Sequence, residues 1–448
     1  MQNKSTRDTV LNILLDIEKN KEYSNIALGK ALRMNQYMDK RDRAFISRLT
    51  EGTIEYQIRL DYIINQFSKV KAAKCKPLIR CLLRMSVYQI FFMDAVPDEA
   101  VCSEAVKLAG LRGFGSLKGF VNGILRNICR HKDAISYPDR ETSAVCYLSV
   151  IYSVPEYIIE LLLKYYDIDT LEAVLKGSLE DRGTTIRVNE EKISVDEYKK
   201  LLEESDIEVK PGIYNKSSLI ISGYDYIRRL PGYRKGLFTV QDESSSLAVM
   251  AAGIRPGDNI IDVCAAPGGK TMYAAAMTGS TGHVLARDLS REKTELIEDN
   301  LDRMGITNVT VSVYDSTKND ESLNEKADIV IADVPCSGLG IMGRKNDIKY
   351  NASKEKTDAL IELQRKILGA SVSYVKPSGK LVYSTCTINK QENEENVKWL
   401  VENFDFTCVL MSDALPDSLK GRADKGYITM LQGIDSADGF FIALLKRN

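Results

Sequence analysis

Apolar residues recur three and four positions apart through the first 140 residues, which predicts an all-helical segment. Val10, Leu11, Leu14, Leu15 and Ile17 form one such stripe behind Ser5, a residue type that caps helix N-termini. A longer pattern from Asp39 to Phe67 carries Phe45, Leu49, Ile54, Ile58, Tyr62 and Ile63. Pro77 falls where a first helical turn tolerates proline, ahead of Leu78, Leu82, Met85, Tyr88 and Phe92. Val96-Pro97-Asp98 interrupts the periodicity, and helices are predicted to about Gly110 and from Gly115 to His131.

The pattern then changes. A helical stretch at 155–179 gives way to the strand-like TTIRVN (184–189), a helix from Ser194 to Glu204 and the strand SLIIS (218–222), which predicts a small α+β module. Pro231-Gly232 marks a turn into the last part. There, helical ESSSLAVMAAG precedes NIIDVC (259–264), GHVLARD (282–288), VTVSVYD (309–315), ADIVIADV (327–334), GKLVYSTC (379–386) and GFFIALLKR (439–447), with helical patterns between most of them. Nearly continuous Val, Ile and Leu strands separated by helices indicate an α/β domain whose mainly parallel sheet is covered on both faces. Three parts are expected, spanning 1–140, 150–235 and 236–448, with no internal repeat.

Composition narrows the function classes. With 44% hydrophobic and 27% charged residues over 448 positions, the chain reads as globular and multidomain. No apolar run approaches the ~18 residues of a membrane span, and MQNKSTRDTV is no signal peptide. A cytoplasmic protein with no membrane contact is expected, its nine cysteines reduced. They include no Cys-x-x-Cys, and His131 and His283 are the only histidines, so no metal site is expected and Ser-His-Asp chemistry has little to work with. His131 reads as a helix end and His283 as a strand start. The net charge of −1 hides an asymmetry: residues 1–140 hold 24 Lys+Arg against 15 Asp+Glu, and the rest hold 37 against 47. A basic first third suits a nucleic-acid-binding appendage or, more plainly, a solvated helical face. Residues 69–84, with six cations in sixteen positions, are the best phosphate-contacting candidate.

The richest segment chemically runs from Asp262 through Cys264, Ala265, Ala266, Pro267, Gly268, Gly269 and Lys270 to Thr271. A strand ends, a loop of small residues turns, and a helix begins, and ligands of open α/β sheets bind at such strand ends. Neither a Walker A cradle nor a Gly-x-Gly-x-x-Gly is complete, so nucleoside triphosphate and dinucleotide both lose ground. Asp288, Asp315 and Asp333 stand at three successive strand ends, where carboxylates accept from ribose hydroxyls or an adenine amine. A single such Asp is usually a cap; three beside the loop point to a nucleoside-containing cofactor. Cys336 and Cys386 also fall at strand ends. A free Cys is most often an inert small hydrophobe, but these two should open on the same sheet face as the loop.

DVCAAPGGKT, ADVPCSGLG, RKNDIKY and YSTCTINKQENE together resemble the RNA cytosine-5 methyltransferase family, in family order across about 200 residues. The helical first part is similar to the antitermination factor NusB. The resemblance implies a Rossmann-like S-adenosylmethionine-dependent methyltransferase domain, preceded by the NusB-like RNA-binding domain and the α+β module. Cys264 to Lys270 would then hold the methionine end of the cofactor, Asp288 its ribose hydroxyls, Asp315 would lie near the adenine, and Asp333 would face the base. Cys386 would be the nucleophile that adds to C6, and Cys336 would assist release.

The implied substrate is a cytosine of 16S ribosomal RNA, unassembled or partly assembled, acted on by a monomer. The nearest alternatives are tRNA or large-subunit rRNA. A non-catalytic ribosome-assembly factor would need neither thiol, and a small-molecule methyltransferase would not need the basic first part. Val334, Asn346 and Tyr350 replace the family's usual Ala, Pro and Trp, with Val334 expected to add bulk beside the base. Arg344 and Lys345 read as an exposed basic pair.

Overall fold

The computed structural model describes residues 5–20, 23–35, 37–411 and 415–448. Two compact units emerge: Met1–Glu172 with Met342–Asn351, and Ala173–Ile341 with Ala352–Asn448. Ten residues of the later chain thus belong to the helical unit.

In the first unit α1 (Thr6–Asn20) starts behind Ser5, whose hydroxyl accepts from Asp8 N at 3.2 Å. Then follow α2 (Ser24–Met34), α3 (Lys40–Glu55), α4 (Gln57–Phe67), α5 (Pro77–Phe92), α6 (Asp98–Leu111), α7 (Lys118–Arg130), α8 (Ala144–Tyr152), α9 (Glu156–Leu162) and α10 (Ile168–Ser178), which ends in the second unit. The stretch 39–67 is two helices rather than one. Tyr56 (φ −95°, ψ 16°) breaks it, its ring stacked on Phe92 at 4.4 Å. α5 is buried on nearly all sides, as a central helix must be, and Gly52 of α3 lets it close in. A Cβ at Gly52 would fall 2.0 Å from the Tyr88 ring. The run 155–179 likewise divides, into α9 and α10.

Residues 342–351 fit this core. Ser24 N donates to Asp347 Oδ2 at 2.9 Å, while Lys349 Nζ and Tyr350 OH each donate to Glu55 O at 2.9 Å. Burial pushes the Glu55 carboxyl up to about 7 and the Lys349 ammonium down to about 8.

In the second unit β1 (Thr184–Val188), β2 (Glu208–Pro211), β3 (Ser218–Ser222) and β4 (Phe238–Val240) form an antiparallel sheet in the order β2-β3-β1-β4. α11 (Val195–Glu203) packs on it, its start fixed by the Ser194–Glu197 capping box. β2 and β4 carry too few apolar residues to announce themselves in sequence.

The larger sheet comprises β5 (Asn259–Asp262), β6 (His283–Asp288), β7 (Val309–Val313), β8 (Ala327–Asp333), β9 (Val375–Thr385), β10 (Phe406–Cys408), β11 (Tyr427–Met430) and β12 (Phe440–Arg447). Its order is β10-β12-β9-β8-β5-β6-β7, with β11 beside β12. β5 to β9 are mutually parallel, and β12 is antiparallel to β9. The helices are α12 (Glu243–Ala251), α13 (Gly269–Thr278), α14 (Arg291–Met304), α15 (Lys354–Ser371), α16 (Glu394–Asn403) and α17 (Asp417–Lys420). Two apolar clusters share the sheet strands: Leu247, Ile260, Val284 and Ile442 in one, and Ile261, Val330, Leu381 and Leu368 in the other. The predicted α/β, Rossmann-like arrangement is present. Strand order reverses between β5 and β8, where such sheets bind ligands.

No described helix is long and apolar enough to cross a membrane. Among the described residues no group of His, Cys, Asp or Glu is placed to hold a metal ion.

Candidate active site

The loop after β5 is held from below. Val263 N donates to Ile331 O of β8 at 3.0 Å, Ala265 N to Arg287 O of β6 at 2.9 Å, and Ser316 Oγ to Val263 O at 2.5 Å. Gly268 caps α13 at φ +102°, a conformation open to glycine, and an added Cβ would crowd Ile297 at 3.3 Å. Asp262 ends β5 fully buried. Its Oδ2 accepts from Thr271 Oγ1 at 2.7 Å, while Oδ1 is buried without a hydrogen-bond partner. Burial pushes this carboxyl up to about 7, aided by the charge of Asp333. Burial also pushes the Cys264 thiol up.

The strand-end acids differ in their surroundings. Asp288 accepts from Ala266 N at 2.9 Å and from Leu289 N at 2.7 Å, with Lys293 Nζ 2.9 Å away. Asp315 lies two residues past β7 and caps a turn, accepting from Thr317 N and Thr317 Oγ1 at 3.1 and 2.7 Å. Those bonds hold its carboxyl below the usual range. Asp333 closes β8, with Lys270 Nζ 2.6 Å from Oδ2 and Ser384 Oγ donating to Oδ1 at 2.8 Å. Lys270, nearly buried, also lies 5.0 Å from the centroid of the Phe440 ring.

The parallel register pairs Asp333 with Ser384, so the chains leaving β8 and β9 emerge side by side. Three residues past Asp333 and two past Ser384, Cys336 Sγ and Cys386 Sγ are 3.2 Å apart. The Cys336 thiol is pushed well up by its hydrogen bond with Cys386 and by burial, so it keeps its proton. Loop, Lys270, Asp333 and both thiols therefore meet at one edge of the sheet. Asp288 joins them through Ala266, and the Asp315 turn through Ser316.

Sequence reasoning missed the polar network behind the thiols. Glu392, fully buried, accepts from Ser337 N (2.8 Å), Ser337 Oγ (2.5 Å), Gln364 Nε2 (2.9 Å) and Asn389 Nδ2 (3.1 Å). Asn393 accepts from Thr385 Oγ1 at 2.6 Å and donates to Thr387 O at 2.9 Å. One signal was available: Gln364 interrupts the apolar face that Ile367 and Leu368 continue on α15.

Other expectations shift. Val334 is buried with Ile261, Ala332 and Tyr383. Tyr350 belongs to the helical unit, its hydroxyl donating to Glu55 O and Ser153 O. Arg344 and Lys345 are exposed as expected. His131 caps α7, and His283 opens β6 with its Nε2 2.9 Å from Thr310 Oγ1. Of the six cations in 69–84, Arg80 pairs with Glu18 and Arg84 with Asp61 at 2.6 Å, leaving the four lysines exposed.

Comparison with known proteins fits these features. The family described as "16S rRNA methyltransferase RsmB/F" matches residues 249–446, "NusB family" residues 4–130, and "Methyltr_RsmF/B-like, ferredoxin-like domain" residues 154–225. A Bacillus subtilis protein named "Probable ribosomal RNA small subunit methyltransferase B" is 33% identical, the alignment covering 100% of both chains. The chain belongs to the ribosomal RNA small subunit methyltransferase B family. A Vibrio cholerae member is 29% identical over 95% of each chain. The solved structure of PH0851 aligns with TM-score 0.81 and 25% identity over 98% of each chain. NSun6 from Pyrococcus horikoshii, solved with SFG, shares the fold at TM-score 0.59 and 20% identity, covering 66% of this chain and 99% of its own.

Proposed function

We propose that this chain transfers a methyl group from S-adenosylmethionine to C5 of a cytosine in 16S, small-subunit, ribosomal RNA, through a covalent bond between Cys386 Sγ and C6. The observation that carries the reading is the thiol pair 3.2 Å apart beyond Asp333, at the ends of adjacent parallel strands. On this reading residues 1–140 and 150–235 serve RNA binding and 236–448 catalysis. The chain acts as a cytoplasmic monomer on RNA not yet fully assembled.

The residues present suit the cofactor. The unpartnered buried Oδ1 of Asp262 matches an ammonium, and the Gly268 turn leaves the backbone open to close approach. Cys264, Ala265, Ala266, Pro267, Gly268, Gly269 and Lys270 would hold its methionine end, Asp288 its ribose hydroxyls in place of the Lys293 ammonium, and Asp315 would lie near the adenine. The cofactor supplies an electrophilic methyl group on a sulfonium.

C5 of cytosine is too weak a nucleophile to take that methyl unaided. The flipped-out base meets Cys386 as a thiolate, and the S–C6 bond forms as the C5–C6 double bond becomes enamine-like. Asp333 passes to N3 the proton that the Cys386 thiol gives up and so balances the developing charge, with Lys270 positioning its carboxyl group. After C5 is methylated, a base takes the C5 proton, the double bond re-forms and the S–C6 bond breaks. Cys336, holding its proton, donates to the departing Cys386 thiolate and eases release.

The test is labelled methyl transfer to unmodified small-subunit rRNA, with large-subunit rRNA and tRNA in parallel, read by nucleoside mass spectrometry. The expected product is 5-methylcytidine in small-subunit rRNA alone, lost in Cys386→Ala. Cofactor binding without labelling of any RNA would overturn the reading.

A further inference from the structure

Four arginines of the helical unit, Arg80, Arg84, Arg112 and Arg140, each pair with an acid, and Lys132 pairs with Asp98. Lys69, Lys71, Lys74 and Lys76, together with Lys118, Arg126 and Arg130 of α7, are all exposed. None of these seven is in an ion pair among the described residues, although Arg126 lies near Cys102 and Arg130 donates to Arg126 O.

Two ring contacts tie the ends of segment 68–76 to the two ends of α7. Phe67, which ends α4, stacks at 6.2 Å on His131, which caps the C-terminus of α7. Lys76 Nζ lies 5.5 Å from the centroid of Phe114, just ahead of the α7 N-terminus. Segment 68–76 therefore leaves α4 beside the end of α7 and closes beside its start, its middle held to α4 by Ala72 N donating to Asn65 Oδ1 at 2.7 Å.

α7 contains no Asp or Glu. Gly119 and Gly123 are exposed on it, and a Cβ added at either would meet nothing within 4 Å, so the ground beside the cations is low and open. On the other flank, α6 presents Asp98, already paired with Lys132, and Glu99, so the positive strip is one-sided.

The chemistry of this strip fits a phosphodiester backbone. It offers charged donors without built-in acceptors, which phosphate oxygens satisfy. Of the phenylalanines beside it, Phe67, Phe114 and Phe120 are packed against the core. At ~1.5 Å per residue the thirteen residues of α7 span about 20 Å, long enough to follow several phosphates of one strand.

We propose that α7 and segment 68–76 form a track that grips the RNA substrate by several of its phosphates, without reading its sequence. The proposal rests on the reading of the chain as an RNA methyltransferase.

The test uses the full chain and fluorescence anisotropy with two labelled RNAs, a small-subunit rRNA fragment and a scrambled RNA of equal length, over a KCl series. Lys71→Gln/Lys74→Gln/Lys76→Gln and Arg126→Gln/Arg130→Gln are compared with wild type and with Lys366→Gln, whose lysine pairs with Glu362 in the other unit. Each multiple variant should weaken both RNAs about tenfold or more and reduce the salt slope by about one per cation removed. S-adenosylmethionine affinity and Tm should not change.

Unchanged affinity and slope would overturn the track. So would a loss confined to the small-subunit fragment at unchanged slope, which signals base readout. Photocrosslinking of wild type asks the same without substitution: peptides from 69–76 and 118–130 should carry RNA, and their absence among crosslinked peptides counts against the track. Product analysis separates the two readings. RNA that binds through the strip but gains no 5-methylcytidine sinks the function and spares the track, whereas 5-methylcytidine formed by variants that bind normally does the reverse.

Discussion

Glu392 receives both the backbone N–H and the hydroxyl of Ser337, at 2.8 and 2.5 Å, and Ser337 is the residue next to Cys336. The same carboxylate takes the Asn389 side chain, three residues beyond Cys386, and Gln364 of α15. One buried carboxyl group thus ties together the two loops that carry the thiols. Glu392→Ala strands these donors and should cost about 3 kcal/mol or more of stability. Glu392→Gln, which can still accept, should fold, retain S-adenosylmethionine affinity by calorimetry and lose at least about tenfold in methyl transfer. Wild-type turnover by Glu392→Gln would show that the thiol spacing does not depend on that carboxylate.

The two cysteines should fail differently. Cys386→Ala removes the nucleophile and should lower turnover by about a thousandfold or more, with no RNA–protein adduct on a denaturing gel. Cys336→Ala still forms the S–C6 bond but loses the donor to the leaving thiolate, so the adduct should accumulate. Normal turnover without trapped adduct in Cys336→Ala would remove it from the release step.

Asp262 gives a pH prediction whose sign follows from burial. Its folded carboxyl is raised from 3.8 to about 7, so the folded state binds the proton more tightly than the unfolded chain. Its contribution is complete below about pH 4 and is lost as pH rises through 7. Cofactor-free protein should therefore lose stability across that window, and Asp262→Asn should flatten the decline, as read by denaturant titration at several pH values. The same variant should bind S-adenosylmethionine more weakly at pH 8, since it lacks the anion for the ammonium. Parallel pH curves for the two proteins would contradict the assignment.

Tyr350 supports the helical unit rather than the chemistry. Its hydroxyl donates to two backbone carbonyls, Glu55 O and Ser153 O. Tyr350→Phe removes the donor to Ser153 O, while Lys349 still donates to Glu55 O, and should lower Tm by about 3 °C, roughly 1 kcal/mol in a unit of this size. Methyl transfer at a temperature well below Tm should be retained. A large fall in turnover with unchanged Tm would instead tie Tyr350 to the reaction.

Much of this was legible along the chain because it depends on local periodicity. β5, β6, β8 and β9 are covered on both faces and read as Val/Ile/Leu runs, and the loop at Cys264–Lys270 follows from where the first of them stops. Short β10 and β11, of three and four residues, carry too little pattern to find. The strand-end positions of Asp288, Asp333, Cys336 and Cys386 came from the same periodicity.

What the sequence could not determine were relationships across distance. That Cys336 and Cys386 stand 3.2 Å apart depends on the register that sets Asp333 against Ser384, fifty-one residues away. The role of Glu392 depends on donors from two other segments, since a buried carboxylate is tolerated only where the fold brings hydrogen-bond donors to it. Residues 342–351 look in sequence like part of the catalytic domain, yet they pack with the helical unit because its core leaves acceptors at Glu55 and Ser153 that Lys349 and Tyr350 satisfy. Periodicity decides which residues face inward; only packing decides what they meet there.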